Sequence, residues 1–333
     1  MLNNSMKRLI HVTNRDRPEK YNILTFASHE RYETQLCKTG HNFYSFNKPE
    51  WKKWNESQVS IPSNYHVLPT NRLYEHIEYD FILAQNRFSQ LQFANSLSPL
   101  LHIPIISLEH TLPTPATHSP DQLNAMRSIP SDINVFISEH SRAEWNIHNN
   151  SHIIHHGIDS EIFKPVVGYD KEKYILTVAN DFINRDFCLN YSGWQRVTSG
   201  TPTRLVGDTK GISQPAASIE ELIEEYNTCC VYFNSTTISP IPMSLLEAMS
   251  CGCAVVSTAT GMIPSIIENG INGFISNDET ELRQYIKQLM NDDELRIKVG
   301  RNARNTILSM FSEEEFIKNW NNIFNIVYEV STI

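Results

Sequence analysis

The residues best suited to chemistry lie in one run, residues 238–257, ISPIPMSLLEAMSCGCAVVS. Two prolines end a loop where an apolar helix must begin. Pro242, read at the first turn, has no amide to leave unpaired, and the free N–H groups that follow it face whatever precedes the helix. An anion belongs at such a start. One and a half turns on, Glu247 interrupts a mostly apolar stretch. A carboxylate facing inward there needs hydroxyl or amide donors, and a ribose diol offers two. Periodicity alone favours the plainer reading, a solvent-facing Glu247 on an amphipathic helix. A second candidate cluster ends the run PIISLEHTLP, where a buried strand delivers Glu109, His110 and Thr111 to a loop. Ligands of open α/β sheets gather at the carboxyl ends of strands.

Such loops need strands and helices in alternation, and the second half of the chain supplies them. Residues 174–179, 204–207, 230–234, 253–257 and 273–276 read as strands. Residues 186–197, 218–227, 242–250 and 279–291 read as the helices between them, which is the pattern of parallel βαβ units. Several strands are apolar throughout, as strands covered by helices on both faces must be. The first half gives strands at 21–26, 43–46, 80–84, 105–108 and 134–137, with helices at 30–38, 87–100 and 139–145. Gly40 fits a left-handed position after the first of these helices. Residues 153–165, IIHHGIDSEIFKP, read as the linker. The predicted organisation is a domain over 1–155, a second over 156–311, and a helix over 312–333 that crosses back to the first.

With 333 residues the chain has room for two domains, each with its own core. Hydrophobic residues at 40% and charged residues at 20% describe a globular protein. A net charge of −9 argues against an extended basic groove for nucleic acid. The start of the chain carries Lys7 and Arg8 but no secretory apolar run, so a cytoplasmic enzyme is expected. Six scattered cysteines make no disulfide framework, and Cys251 and Cys253, without a second pair or nearby histidines, make a poor zinc site. No metal ligand set and no cofactor are expected.

The run PMSLLEAMSCGCAVVSTATGMIPSIIENGINGFI resembles the signature of family 4 glycosyltransferases. The stretches ISEHSRAEW and HHGIDSEIFKP are similar to the same family, so the resemblance is close over roughly the C-terminal two thirds and holds in outline over the rest. It implies the GT-B fold, α/β with two Rossmann-like domains facing each other across a cleft, and a retaining, metal-independent transferase that takes a nucleoside diphosphate sugar. In that family a Glu, seven residues and a second Glu lie at the donor site. The second falls on Glu247, which implies ribose binding. The first falls on Ser239, which keeps a hydroxyl and lacks the charge. Pro240, Ile241, Pro242 and Met243 occupy the intervening donor loop. The family's Arg and Lys that clamp the diphosphate fall on Asn180 and Arg185; Arg185 keeps the charge in a planar fork suited to phosphate.

The family's sugar-pocket histidine falls on His110. Its glycine-rich loop falls on TFASHERYE, which has no glycine, so that Ser28 and His29 would line the acceptor side together with Glu109 and Thr111. The donor would be a nucleotide sugar. The acceptor could be a glycan, a lipid-linked glycan, a small metabolite or, with no help from composition, a modified DNA base. Two other readings stay open: a nucleotide-sugar epimerase of the same fold, and a non-catalytic nucleotide-sugar-binding subunit, to which the losses at Ser239 and Asn180 are the best support.

Overall fold

The computed structural model describes residues 17–56 and 59–330; the N-terminal stretch with Lys7 and Arg8 lies outside them. The chain divides into two compact units, one running to His155 and resuming at Glu314, the other spanning His156–Glu313.

In the first unit, seven parallel strands form one sheet: β1 (Asn22–Thr25), β2 (Asn42–Ser45), β3 (Tyr65–Val67), β4 (Phe81–Ala84), β5 (Ile105–Glu109), β6 (Ile133–Phe136) and β7 (Ser151–Ile153). Their order is β3-β2-β1-β4-β5-β6-β7. Every residue of β4, β5 and β6 is buried, as expected of strands covered on both faces. The outermost strands β3 and β7, YHV and SHI, were not legible: three half-polar residues give no period, and only pairing with β2 and β6 makes them strands.

Four helices of this unit are α1 (Glu30–Cys37), α2 (Gln90–Leu101), α3 (Pro120–Arg127) and α4 (Glu139–Trp145). Ser119 and Gln122 form a reciprocal capping box at α3, a helix absent from the sequence reading. The helix expected from residue 87 begins only at Gln90. Arg87 stays in the loop before it, 1% exposed, donating to Asn134 Oδ1 and to the carbonyls of Met126 and Ile129 at 3.3 Å each. Gly40 adopts φ +87°, the left-handed conformation expected of it.

Five parallel strands build the second unit: β8 (Glu172–Val178), β9 (Thr203–Val206), β10 (Cys229–Asn234), β11 (Val255–Ser257) and β12 (Phe274–Ile275), in the order β12-β11-β10-β8-β9. Its helices are α5 (Asp186–Leu189), α6 (Tyr191–Thr198), α7 (Ile219–Thr228), α8 (Met243–Ser250), α9 (Ile263–Ile266), α10 (Glu279–Asn291) and α11 (Asp293–Met310). The single helix expected over 186–197 is two. Asn190 takes φ +57°, which ends α5, and its side chain accepts from Gly193 N at 3.1 Å to cap α6. The 18-residue α11 also escaped the sequence reading, because Gly300 and Ala303 replace large apolar residues in its inner stripe. Gly300 is needed there: a Cβ would collide with the carbonyl of Gly252.

The last helix, α12 (Glu313–Val330), packs in the first unit. Trp320 is fully buried and its Nε1 donates to Tyr32 Oη at 3.0 Å, while Phe324 stacks on Phe81 at 5.4 Å. Among the described residues no helix is long and apolar enough to cross a membrane.

Candidate active site

In each sheet the strand order reverses beside the first strand, between β1 and β4 in one unit and between β8 and β10 in the other. Loops leave such a switch point in opposite directions and open a crevice. The candidate residues cluster at these two places.

In the second unit, β10 feeds residues 235–242 into α8. Pro242 is not in the first turn but one position before it, as the N-cap, with φ −74° and ψ 128°. No side chain caps this helix. The amides of Met243, Ser244 and Leu245 therefore receive no side-chain cap, while Pro240 and Pro242 contribute no N–H of their own. The loop is held from behind. Met262 N donates to Pro240 O at 2.8 Å and Thr260 Oγ1 to Thr236 O at 2.9 Å. Gly261, at φ +57°, lies so close that a Cβ would collide with the carbonyls of Ser239 and Pro240. Ser239 and Met243 are half-buried, and Ile241 is 3% exposed.

Glu247 does not face solvent. It is 1% exposed, and its Oε2 accepts from Tyr226 Oη at 2.9 Å. The plainer sequence reading fails because the polar face of a solvent-exposed helix does not exist here: residues 245–250 are all buried. Tyr226, at the end of α7, carried no signal in the sequence. Tyr232 Oη donates to Ser244 Oγ at 2.9 Å, and Ser244 Oγ donates to Val178 O at 3.3 Å, which fastens the first turn of α8 to the end of β8.

After β8, Asn180 is an anchor. Its Oδ1 accepts from Asp208 N at 2.8 Å, beside bonds from Asp181 N to Asp208 O at 2.6 Å and from Phe182 N to Thr209 Oγ1 at 3.1 Å. These bonds tie the loops following β8 and β9 together. Arg185, the N-cap residue of α5, is exposed, and its guanidinium makes no hydrogen bond or ion pair among the described residues. Lys210, exposed on the loop that Asn180 fastens, is a second uncommitted cation that the sequence reading missed.

In the first unit, Ser28 and His29 close the loop after β1, and His29 caps α1, its Nδ1 accepting from Tyr32 N at 3.4 Å. The amides of Ser28 and His29 are already taken. They donate at 2.6 and 3.3 Å to Oε1 of Glu33, a residue 1% exposed, whose Oε2 accepts from Tyr65 Oη at 2.5 Å. Burial pushes the Glu33 carboxyl upward, against these donors. His110, half-buried after β5, places Nε2 3.3 Å from Gln85 Oε1. Its ring meets Tyr32 edge to face at 4.5 Å and lies nearly parallel to His29 at 6.4 Å.

Glu109 corrects an expectation. It is 0% exposed and both its oxygens are engaged within its own unit, so it faces the core rather than an acceptor surface. Its Oε1 accepts from Thr111 N at 3.0 Å and Thr111 Oγ1 at 2.7 Å, and its Oε2 from Arg87 N at 3.2 Å. Burial raises its carboxyl to about 7, with the Thr111 bonds and the Arg87 charge opposing. Its work is to hold Thr111, which is exposed. Among the described residues no three His, Cys, Asp or Glu side chains gather as a metal would require.

Residues 214–306, which contain α8 and the loops behind it, match the family model described as glycosyl transferases group 1. The chain superimposes on the Anabaena protein HepE in complex with UDP and glucose, at a TM-score of 0.75 and 15% identity, covering 92% of this chain and 100% of that one. It also superimposes on sucrose-phosphate synthase from Thermosynechococcus elongatus, at 0.72 and 12% identity, covering 93% and 100%. This is a GT-B fold whose second unit carries a group 1 glycosyltransferase domain. Among curated proteins, the chain resembles the N-acetyl-alpha-D-glucosaminyl L-malate synthase of Bacillus anthracis, 33% identical over 82 residues. That alignment takes in 24% of this chain and 22% of the synthase, about a fifth of its length. An uncharacterized glycosyltransferase of Methanocaldococcus jannaschii is 23% identical over 317 residues, 86% of this chain and 84% of the relative.

Proposed function

We propose that this GT-B chain transfers a sugar from a nucleoside diphosphate sugar to an acceptor hydroxyl, with retention of anomeric configuration. The observation that carries the reading is Glu247, a carboxylate 1% exposed behind a helix start that no side chain caps. A buried carboxylate needs donors; Tyr226 Oη supplies one, and a ribose diol offers two hydroxyls to the same group. The uncapped amides of Met243, Ser244 and Leu245 take the diphosphate, together with the Arg185 guanidinium. UDP bound in the Anabaena relative favours a uridine nucleotide.

As the sugar leaves, negative charge grows on the diphosphate. Groups already aimed at that charge stabilise the transition state without reorganising. Ser239 offers the reacting sugar a hydroxyl and no charge. His110, with Ser28, His29 and Thr111, forms the sugar and acceptor side in the first unit.

Thermal unfolding with UDP, UDP-glucose and the corresponding GDP and ADP compounds tests the donor assignment, since a ligand that binds only the folded chain raises the apparent stability. The uridine compounds are expected to protect. Mass analysis of the products then distinguishes the activities: a glycosylated acceptor supports transfer, interconverted free donor identifies an epimerase, and binding without turnover identifies a nucleotide-sugar-binding subunit.

A further inference from the structure

As a sugar contact, His110 can accept or donate a hydrogen bond according to which of its nitrogens carries the proton. Beneath it lies a buried chain of polar groups that the reaction itself does not use. Gln85, 1% exposed at the end of β4, directs its Nε2 to three acceptors: Glu33 Oε1 at 2.8 Å, Phe26 O at 3.0 Å and Thr25 Oγ1 at 3.2 Å. Thr25 Oγ1 is itself a donor to Leu83 O at 3.1 Å, so its proton points away from Gln85. An amide has one end that donates and one that accepts. Turned the other way, Gln85 would aim its oxygen at Phe26 O and at Glu33 Oε1, which already accepts from two backbone amides, so that no proton would lie between these oxygens. The orientation of the amide is thus fixed by its surroundings.

The remaining end, Gln85 Oε1, can only accept, and it faces His110 Nε2 at 3.3 Å. A hydrogen bond there requires the proton on Nε2. Glu33 holds the other end of the chain rigid. Tyr65 Oη, Ser28 N and His29 N fix its carboxylate from three sides, and Tyr32 braces the imidazole edge to face.

We propose that Glu33 and Gln85 are positioning residues that hold His110 as its Nε2–H tautomer, in the orientation in which the ring meets the sugar. This rests on the reading of His110 as a sugar contact only for its last step. The tautomer is a property of the unliganded chain and can be measured without substrate.

The test is long-range nitrogen-15 NMR of the histidine side chains of the whole chain, with His110 assigned by its loss in His110→Gln. At a pH where His110 is neutral, Nε2 should show the protonated-type shift and Nδ1 the unprotonated type. In Gln85→Leu the two shifts should move toward each other as the tautomers mix, and turnover should fall about tenfold with the affinity for free UDP unchanged. Glu33→Gln should give a smaller movement in the same direction. An Nδ1–H tautomer in the parent protein overturns the proposal, and that measurement requires no variant to fold. Unchanged shifts in a folded Gln85→Leu overturn it as well. Mixed tautomers with full turnover would uphold the positioning chain and remove His110 from the reaction, so the two failures are separable.

Discussion

Two helix starts in this molecule lie beside switch points and have opposite fates. At α1 the amides of the preceding loop, Ser28 N and His29 N, are taken by a carboxylate of the same helix, Glu33. At α8 no side chain caps the first turn, and the helix's own carboxylate, Glu247, accepts from Tyr226. The first start neutralises itself and becomes a rigid support for His110. The second leaves its positive end uncapped by any side chain, as the proposed diphosphate site requires. A helix N-terminus at the carboxyl edge of a parallel sheet is therefore a site only where the chain withholds its own acceptors.

Removing the internal acceptor should have the largest effect. Glu33→Ala strips the partner from Tyr65, from two loop amides and from Gln85 in a buried setting. It should cost about 3 kcal/mol of stability, read by chemical denaturation. A loss no larger than that of an exposed Glu→Ala change would break the comparison, since α1 would then not depend on its internal anion.

The neighbouring carboxyl gives the comparison a pH dependence. Native Glu109 holds its proton up to about 7, whereas its ordinary value is 4.5. The folded state binds more protons than the unfolded state across that window, so stability falls as pH rises from about 4.5 to about 7. The decline amounts to about 3 kcal/mol. Glu109→Gln should flatten that part of the profile of unfolding free energy against pH; an unchanged slope would assign it to another group.

At the open start the effects should appear in binding. Glu247→Ala removes charge-assisted hydrogen bonds of roughly 1.5 to 3 kcal/mol and should weaken the affinity for nucleoside diphosphate by about one to two powers of ten, measured by calorimetry. Full affinity in the variant would leave α8 without its ribose ligand. Arg185→Ala should be the mildest, because the guanidinium is exposed and screened. Turnover is expected to fall by about tenfold, with ground-state binding nearly intact. Equal losses in affinity and turnover would place Arg185 on the bound donor throughout rather than on its departing charge.

Much of this was legible in the residues. The parallel alternation, the apolar strands of both sheets and the position of α8 follow from local patterns, because a strand covered on both faces must be apolar along its length and a proline pair marks a helix start. Elements whose identity comes from their neighbours were not legible. Three-residue edge strands have no period, α11 hides its inner stripe behind Gly300 and Ala303, and Asn190 breaks a helix by a conformation rather than by composition. Glu109 was misplaced for a similar reason: a strand-end carboxylate looks the same in sequence whether it faces a crevice or the core.

By itself the sequence determined the two parallel α/β halves; its prolines marked the start of α8 as a candidate anion site, and its resemblance to family 4 glycosyltransferases marked Glu247, His110 and Arg185 as candidates. Only the tertiary structure decided what each could do. Burial turned Glu247 inward onto Tyr226, tied Asn180 to Asp208, closed Glu109 against Thr111, and linked Glu33 to His110 through Gln85. The partners in these bonds are mostly far apart along the chain. The desolvation and hydrogen bonding that set a side chain's chemistry come from whatever the fold packs against it, and no local pattern encodes that.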